Sequence, residues 1–81
     1  MKEYYLTFRS MTAAMSAAKA LESVGLHLRP MNTPDALRKR GCGYCLILKE
    51  ENFFLAMDLL YRIKYEKIYV RQGEQWREKI L

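Results

Sequence analysis

One short segment of this chain holds residue types that do chemistry: Gly41-Cys42-Gly43-Tyr44-Cys45. A cysteine thiolate is both a nucleophile and a soft metal ligand. Glycines on either side of Cys42 remove bulk and widen the choice of backbone angles, so another macromolecule can reach its sulfur. Cys45 fits that role less well. In an extended chain the two Cα atoms are separated by roughly 10 Å, beyond the ~7 Å limit for a disulfide. A Cys42–Cys45 bond therefore needs a turn at Gly43. Cys45 reads first as a small residue on a strand face, with a resolving thiol as its functional alternative. Zinc in a structural site takes four ligands, and one chain offers only Cys42, Cys45 and the distant His27. No metal site is expected, short of four cysteines meeting across a dimer interface, and no cofactor is expected either.

The elements that must position this segment follow from periodicity. Tyr4, Leu6 and Phe8 alternate with Tyr5 and Thr7, the pattern of a half-buried strand. Ser10 is a candidate N-cap for an Ala-rich helix, in which Ala14, Ala17, Ala18, Leu21 and Val24 recur at helical spacing before Gly25 stops it. Leu26 to Arg29 alternates again and ends at Pro30, predicting a short second strand. The pattern then lapses as far as Gly43, with a helical turn expected at Pro34-Asp35-Ala36-Leu37. Tyr44 to Glu50 forms a third strand, with Tyr44, Leu46 and Leu48 on one face and Cys45 and Ile47 on the other. Glu51 and Asn52 open a second helix with a buried stripe of Phe53, Ala56, Met57, Leu60 and Ile63. Glu66 to Gln72 is the last strand, with Ile68 and Val70 inward and Tyr69 outward.

The order β-α-β-β-α-β predicts an α+β fold of ferredoxin-like type, a four-stranded antiparallel sheet with both helices on one face. Residues 1–72 form this single domain. Residues 73–81 are a tail, expected to be helical, with Trp76 and Ile80 able to dock. The sheet face away from the helices carries Tyr5, Cys45, Ile47 and Tyr69, apolar enough to predict either a homodimer through that open face or cover by the tail. In this topology the first and second strands run parallel. The turn after strand one and the loop before strand three then share one end of the sheet. Arg9, Ser10 and the first N–H groups of the Ala-rich helix would face Cys42, and a guanidinium and a helix N-terminus both favour thiolate.

Rival sites are weaker. Arg38-Lys39-Arg40 offers a grip on phosphate or an acidic surface, but such a run is more often a solvated loop, and no RNP-type aromatic motif accompanies it. A nucleic-acid partner is therefore not favoured. His27 has no neighbouring carboxylate, and Glu50-Glu51 is explained by favourable charge at a helix start. No phosphate loop, serine triad or carboxylate pair is present.

Composition sets the outer limits. The chain has 81 residues, 51% of them apolar, with 14 Lys and Arg against 9 Asp and Glu for a net charge of +5. That size leaves a thin core and little room for an elaborate active site. No apolar run reaches the roughly 18–20 residues of a membrane span, and Met-Lys-Glu-Tyr-Tyr lacks the pattern of a signal peptide. A cytoplasmic protein without a membrane partner is expected.

The order and spacing of these features resemble the Se/S carrier-like family of small proteins. The resemblance rests on a strand ending Thr7-Phe8-Arg9-Ser10, an Ala-rich helix, and a Pro-containing loop leading to Cys42-Gly43 and an apolar strand, over about residues 3–71. It implies a carrier that holds sulfur or selenium on Cys42 as a persulfide or selenosulfide, between donor and acceptor proteins, rather than a self-contained enzyme. On this reading Arg9 and the Ser10-capped helix start stabilise the thiolate, and Gly41 and Gly43 keep it accessible. The basic residues Arg38, Lys39 and Arg40 serve docking to a donor protein, and Cys45 is the candidate resolving thiol. The basic run and the second cysteine depart from the family pattern. A non-catalytic interaction module, dimeric through the open face, and a nucleic-acid binder using the basic loop are the alternatives.

Overall fold

The computed structural model describes residues 2–38 and 43–81. Strand β1 (Lys2–Phe8) leads into helix α1 (Met11–Glu22), and a two-residue strand β2 (Met31–Asn32) precedes the short helix α2 (Asp35–Arg38). Strand β3 (Tyr44–Lys49) passes directly into helix α3 (Glu50–Leu60), and the chain ends in the hairpin of β4 (Lys67–Gln72) and β5 (Gln75–Lys79). The strands lie in the order β2-β3-β1-β4-β5, every neighbouring pair antiparallel. The α+β class and the antiparallel sheet agree with expectation. The four-stranded, two-helix layout does not, because the described residues form five strands and three helices.

β1 holds the centre. Its Tyr4, Leu6 and Phe8 point to the side of α1 and α3, where they pack with Ala14, Ala17 and Leu21 of α1, Phe53, Ala56 and Leu60 of α3, Leu46 and Leu48 of β3, and Ile68 of β4. Alanines along α1 let the helix lie close to the sheet. The Tyr4 and Phe53 rings stack, with centroids 3.9 Å apart and planes 7° apart. Each large side chain buried in this layer stabilises the fold by about 1.5–3 kcal/mol over leaving it exposed. At the end of β1, Thr7 Oγ1 accepts from the Lys67 N–H at 3.1 Å and donates to the Lys67 carbonyl at 3.2 Å. The Glu66 N–H donates to the Thr7 carbonyl at 2.7 Å, so the start of β4 is pinned there too.

The second strand is not where alternation put it. The Leu26 N–H is spent on the Leu21 carbonyl in the turn that closes α1 around Gly25 (φ +85°), and the Leu26 and Leu28 side chains pack into the helix-side core. Pairing with β3 begins only after Pro30, with Met31 opposite Cys45 and Asn32 opposite Tyr44. The same closure leaves Val24 outside the helix and exposed. Met57 is also exposed rather than part of the α3 stripe, whereas Ile63, just past the helix, is buried.

The far face of the sheet is not open, which removes the ground for a dimer across it. Leu37 of α2 is buried against Tyr5, Cys45 and Tyr69, with Ile47 and Trp76 at the margin. Trp76 arrives because the tail is a strand and not a helix. Gly73 (φ +63°) and Glu74 form a two-residue hairpin loop with glycine first, as a type II′ turn requires, and this turn places Trp76 opposite Arg71. The Tyr5 and Trp76 rings meet edge to face at 4.8 Å. Ile80 does not dock; it is 85% exposed. No helix among the described residues is long and apolar enough to cross a membrane.

Candidate functional site

The end of the sheet where β1 stops and β3 starts brings together three of the expected site residues, Arg9, Ser10 and Gly43. Phe8 stands opposite Tyr44, so the chain enters β3 beside the turn into α1. Gly43 is fixed at that entrance by its carbonyl, which accepts from the Thr33 N–H at 3.1 Å. A Cβ added to Gly43 would meet no atom of the described residues within 4 Å. Ser10 caps α1 as its type and position predicted. Its backbone is extended, its Oγ accepts from the Ala13 N–H at 3.1 Å, and its carbonyl accepts from Ala14. The first turn of α1 contains no acidic residue to offset the partial positive charge of the helix start. α3 differs, carrying Glu50 and Glu51 in its first turn.

Arg9 lies at the same end and is tied across it. Its Nε and one terminal nitrogen each donate to Glu66 at 2.9 Å, a bidentate pair joining the β1–α1 turn to the start of β4. The Arg9 hydrogen bonds hold the Glu66 carboxyl below the usual glutamate range. Sequence reading missed Glu66, Thr7 and Thr33, which give this end its shape. Their partners lie far along the chain, and no local pattern signals them.

Cys45 is in a different environment. It is fully buried on the far face, its Sγ 3.9 Å from the Asn32 carbonyl, and burial pushes its thiol up to about 11. Desolvation disfavours the charged thiolate, so in the folded protein Cys45 is a small apolar core residue. Arg38 closes α2 and pairs with Asp35 at 3.4 Å, exposed to solvent. Cys42, Gly41, Lys39 and Arg40, named above as site residues, lie outside the described residues.

Against known protein families, residues 3–70 match the family described as "Putative Se/S carrier protein-like". The chain belongs to this family. The matched span runs from β1 into β4 and leaves out all of β5, the strand bearing Trp76. Neither the comparison with curated proteins nor that with solved structures gives a match.

Proposed function

We propose that this Se/S carrier-family chain holds sulfur or selenium on Cys42 and passes it between two partner proteins in the cytoplasm. The thiolate of Cys42 attacks the terminal sulfur of a donor protein's persulfide. The donor's S–S bond breaks and the donor thiolate leaves, so one persulfide is exchanged for another with no net oxidation. A nucleophile of the acceptor then takes the terminal atom and Cys42 returns to thiolate. A selenium atom moves by the same two displacements, through a selenosulfide. The chain acts as a group carrier, and its partners supply the remaining chemistry.

The observation that supports this reading is the pairing of Phe8 with Tyr44. Cys42 is one peptide bond from Gly43, where an added Cβ would meet no atom of the described residues within 4 Å. Gly43 lies at the sheet end that holds a capped helix start with no acid in its first turn. Such a helix end, worth about 0.3–1 kcal/mol to a nearby anion, favours the thiolate that both displacements need. Arg9 contributes to the same field while paired with Glu66, and Ser10 maintains the helix start.

Burial of Cys45 makes the test clean, because alkylation of the native protein then reports on Cys42. Iodoacetamide rates measured against pH are expected to give an apparent pKa well below the ordinary ~8.5 of a free cysteine. A thiol that titrates at or above that value contradicts the mechanism.

A further inference from the structure

A groove runs between α1 and the chain that leaves α3. Ala13, Ser16 and Ala17 form one wall, Ile63 the floor, and Arg62 and Lys64 the opposite rim, around a volume of about 280 Å³. A cavity of about 150 Å³ is enough to take a benzene ring. This one therefore has room for a large apolar side chain together with part of the backbone that bears it. Among the described residues lining it there are two cations and no carboxylate. Arg62 is pre-positioned: its Nε donates to Tyr61 Oη at 3.0 Å and its guanidinium lies over the Tyr61 ring at 5.4 Å. Tyr61 is itself 77% exposed.

We infer that this groove receives an acidic segment of a partner protein, which inserts one large apolar side chain and sets neighbouring carboxylates against Arg62 and Lys64. Charge selects the occupant. A second copy of this chain carries the same net +5, which opposes self-association, whereas an acidic segment is drawn to a cationic rim and held by the apolar floor. Small side chains on the α1 wall create the opening. Ser16, Arg62 and Lys64 are exposed, so they can be replaced without disturbing the core. The inference does not depend on sulfur chemistry, because its readout is binding alone.

The probe is an acetylated, amidated peptide, Asp-Glu-Phe-Leu-Glu-Asp, titrated into the full chain and followed by backbone amide shifts. Saturable binding is expected, with the largest shifts at Ala13, Ala17 and Ile63. The Arg62→Glu/Lys64→Glu protein should bind at least about tenfold more weakly, a loss of ~1.4 kcal/mol. Filling the groove with Ser16→Trp should weaken binding comparably, as should replacing the peptide's Phe and Leu by Gly. Overturning results are no saturable binding, equal binding of a peptide with Lys in place of its acids, or binding unchanged by Ser16→Trp. If the Gly-substituted peptide binds as well as the original, the cations act by charge alone and the inference also fails.

Discussion

Arg9 grips both carboxylate oxygens of Glu66, at 2.9 Å each, and so fastens the turn before α1 to the residue that leads into β4. The pair is solvent-exposed on the Arg9 side, where such bridges are worth little to stability. Its importance is positional, since it fixes the orientation of a guanidinium beside the start of α1.

Replacing Arg9 by Gln should raise the Glu66 ionisation toward the ordinary glutamate value, read from the side-chain carbon shift across a pH titration. The sign follows from linkage. A carboxyl lowered in the folded state contributes stability that is present above its unfolded pKa and is lost as pH falls through the lowered folded value. Wild-type protein should therefore show a small acid-side loss that Arg9→Gln lacks. Equal Glu66 titrations in the two proteins would contradict the pairing.

Cys45 should resist thiol reagents in the native state at pH 8 and react only on unfolding, so a thiol count under native conditions gives one fewer than in denaturant. Its raised folded pKa implies stability present below the ordinary thiol value near 9.0 and lost as pH rises toward about 11. Cys45→Ser places a hydroxyl in an apolar cluster and should cost about 1–3 kcal/mol in denaturant unfolding. A rapidly modified Cys45 in folded protein would contradict its burial.

Trp76 should act as a lid over Tyr5. Removing its ring by Trp76→Ala is expected to lower stability by about 1–3 kcal/mol, less than for a fully buried aromatic because the indole is only half-buried. The same variant should make Cys45 more reactive, because part of the cluster around it is lost. Unchanged Cys45 protection together with unchanged stability would show that β5 does not guard this face.

The two glycines Gly73 and Gly43 should behave oppositely on substitution by Ala. Gly73 sits at φ +63°, where an L side chain is strained, so Gly73→Ala should cost about 1–2 kcal/mol. Gly43 has no positive φ and meets nothing within 4 Å, so Gly43→Ala should leave thermal stability nearly unchanged. Equal losses at both positions would refute this contrast.

What the sequence made legible was what depends on neighbours in the chain. The two faces of β1, the Ser10 cap and the Gly25 stop are local, and the structure keeps all three. β1 is nevertheless buried on both faces from Tyr4 to Phe8 rather than half-buried, because Leu37 and Trp76 cover the Tyr5 side. Leu26 and Leu28 misled because their apolar side chains serve the helix core while the backbone pairs later, past Pro30. The hairpin at Gly73-Glu74 was hidden because Gln75 to Lys79 has only one apolar residue, Trp76, to mark a strand. The cover that Leu37 gives to Tyr5, Cys45 and Tyr69 follows from where a single turn of helix lands, which periodicity does not encode. In the site, Ser10 and Arg9 were readable by type. Their relation to Glu66, separated by 57 residues from Arg9, was a product of folding.

The carrier reading is tested most directly by intact-mass analysis after incubating the full chain with a cysteine desulfurase and cysteine, without reductant. The expected result is an added mass of one sulfur atom, removed by later reduction, absent in Cys42→Ser and retained in Cys45→Ala. No adduct on the wild-type chain, or an adduct that survives Cys42→Ser, would contradict it.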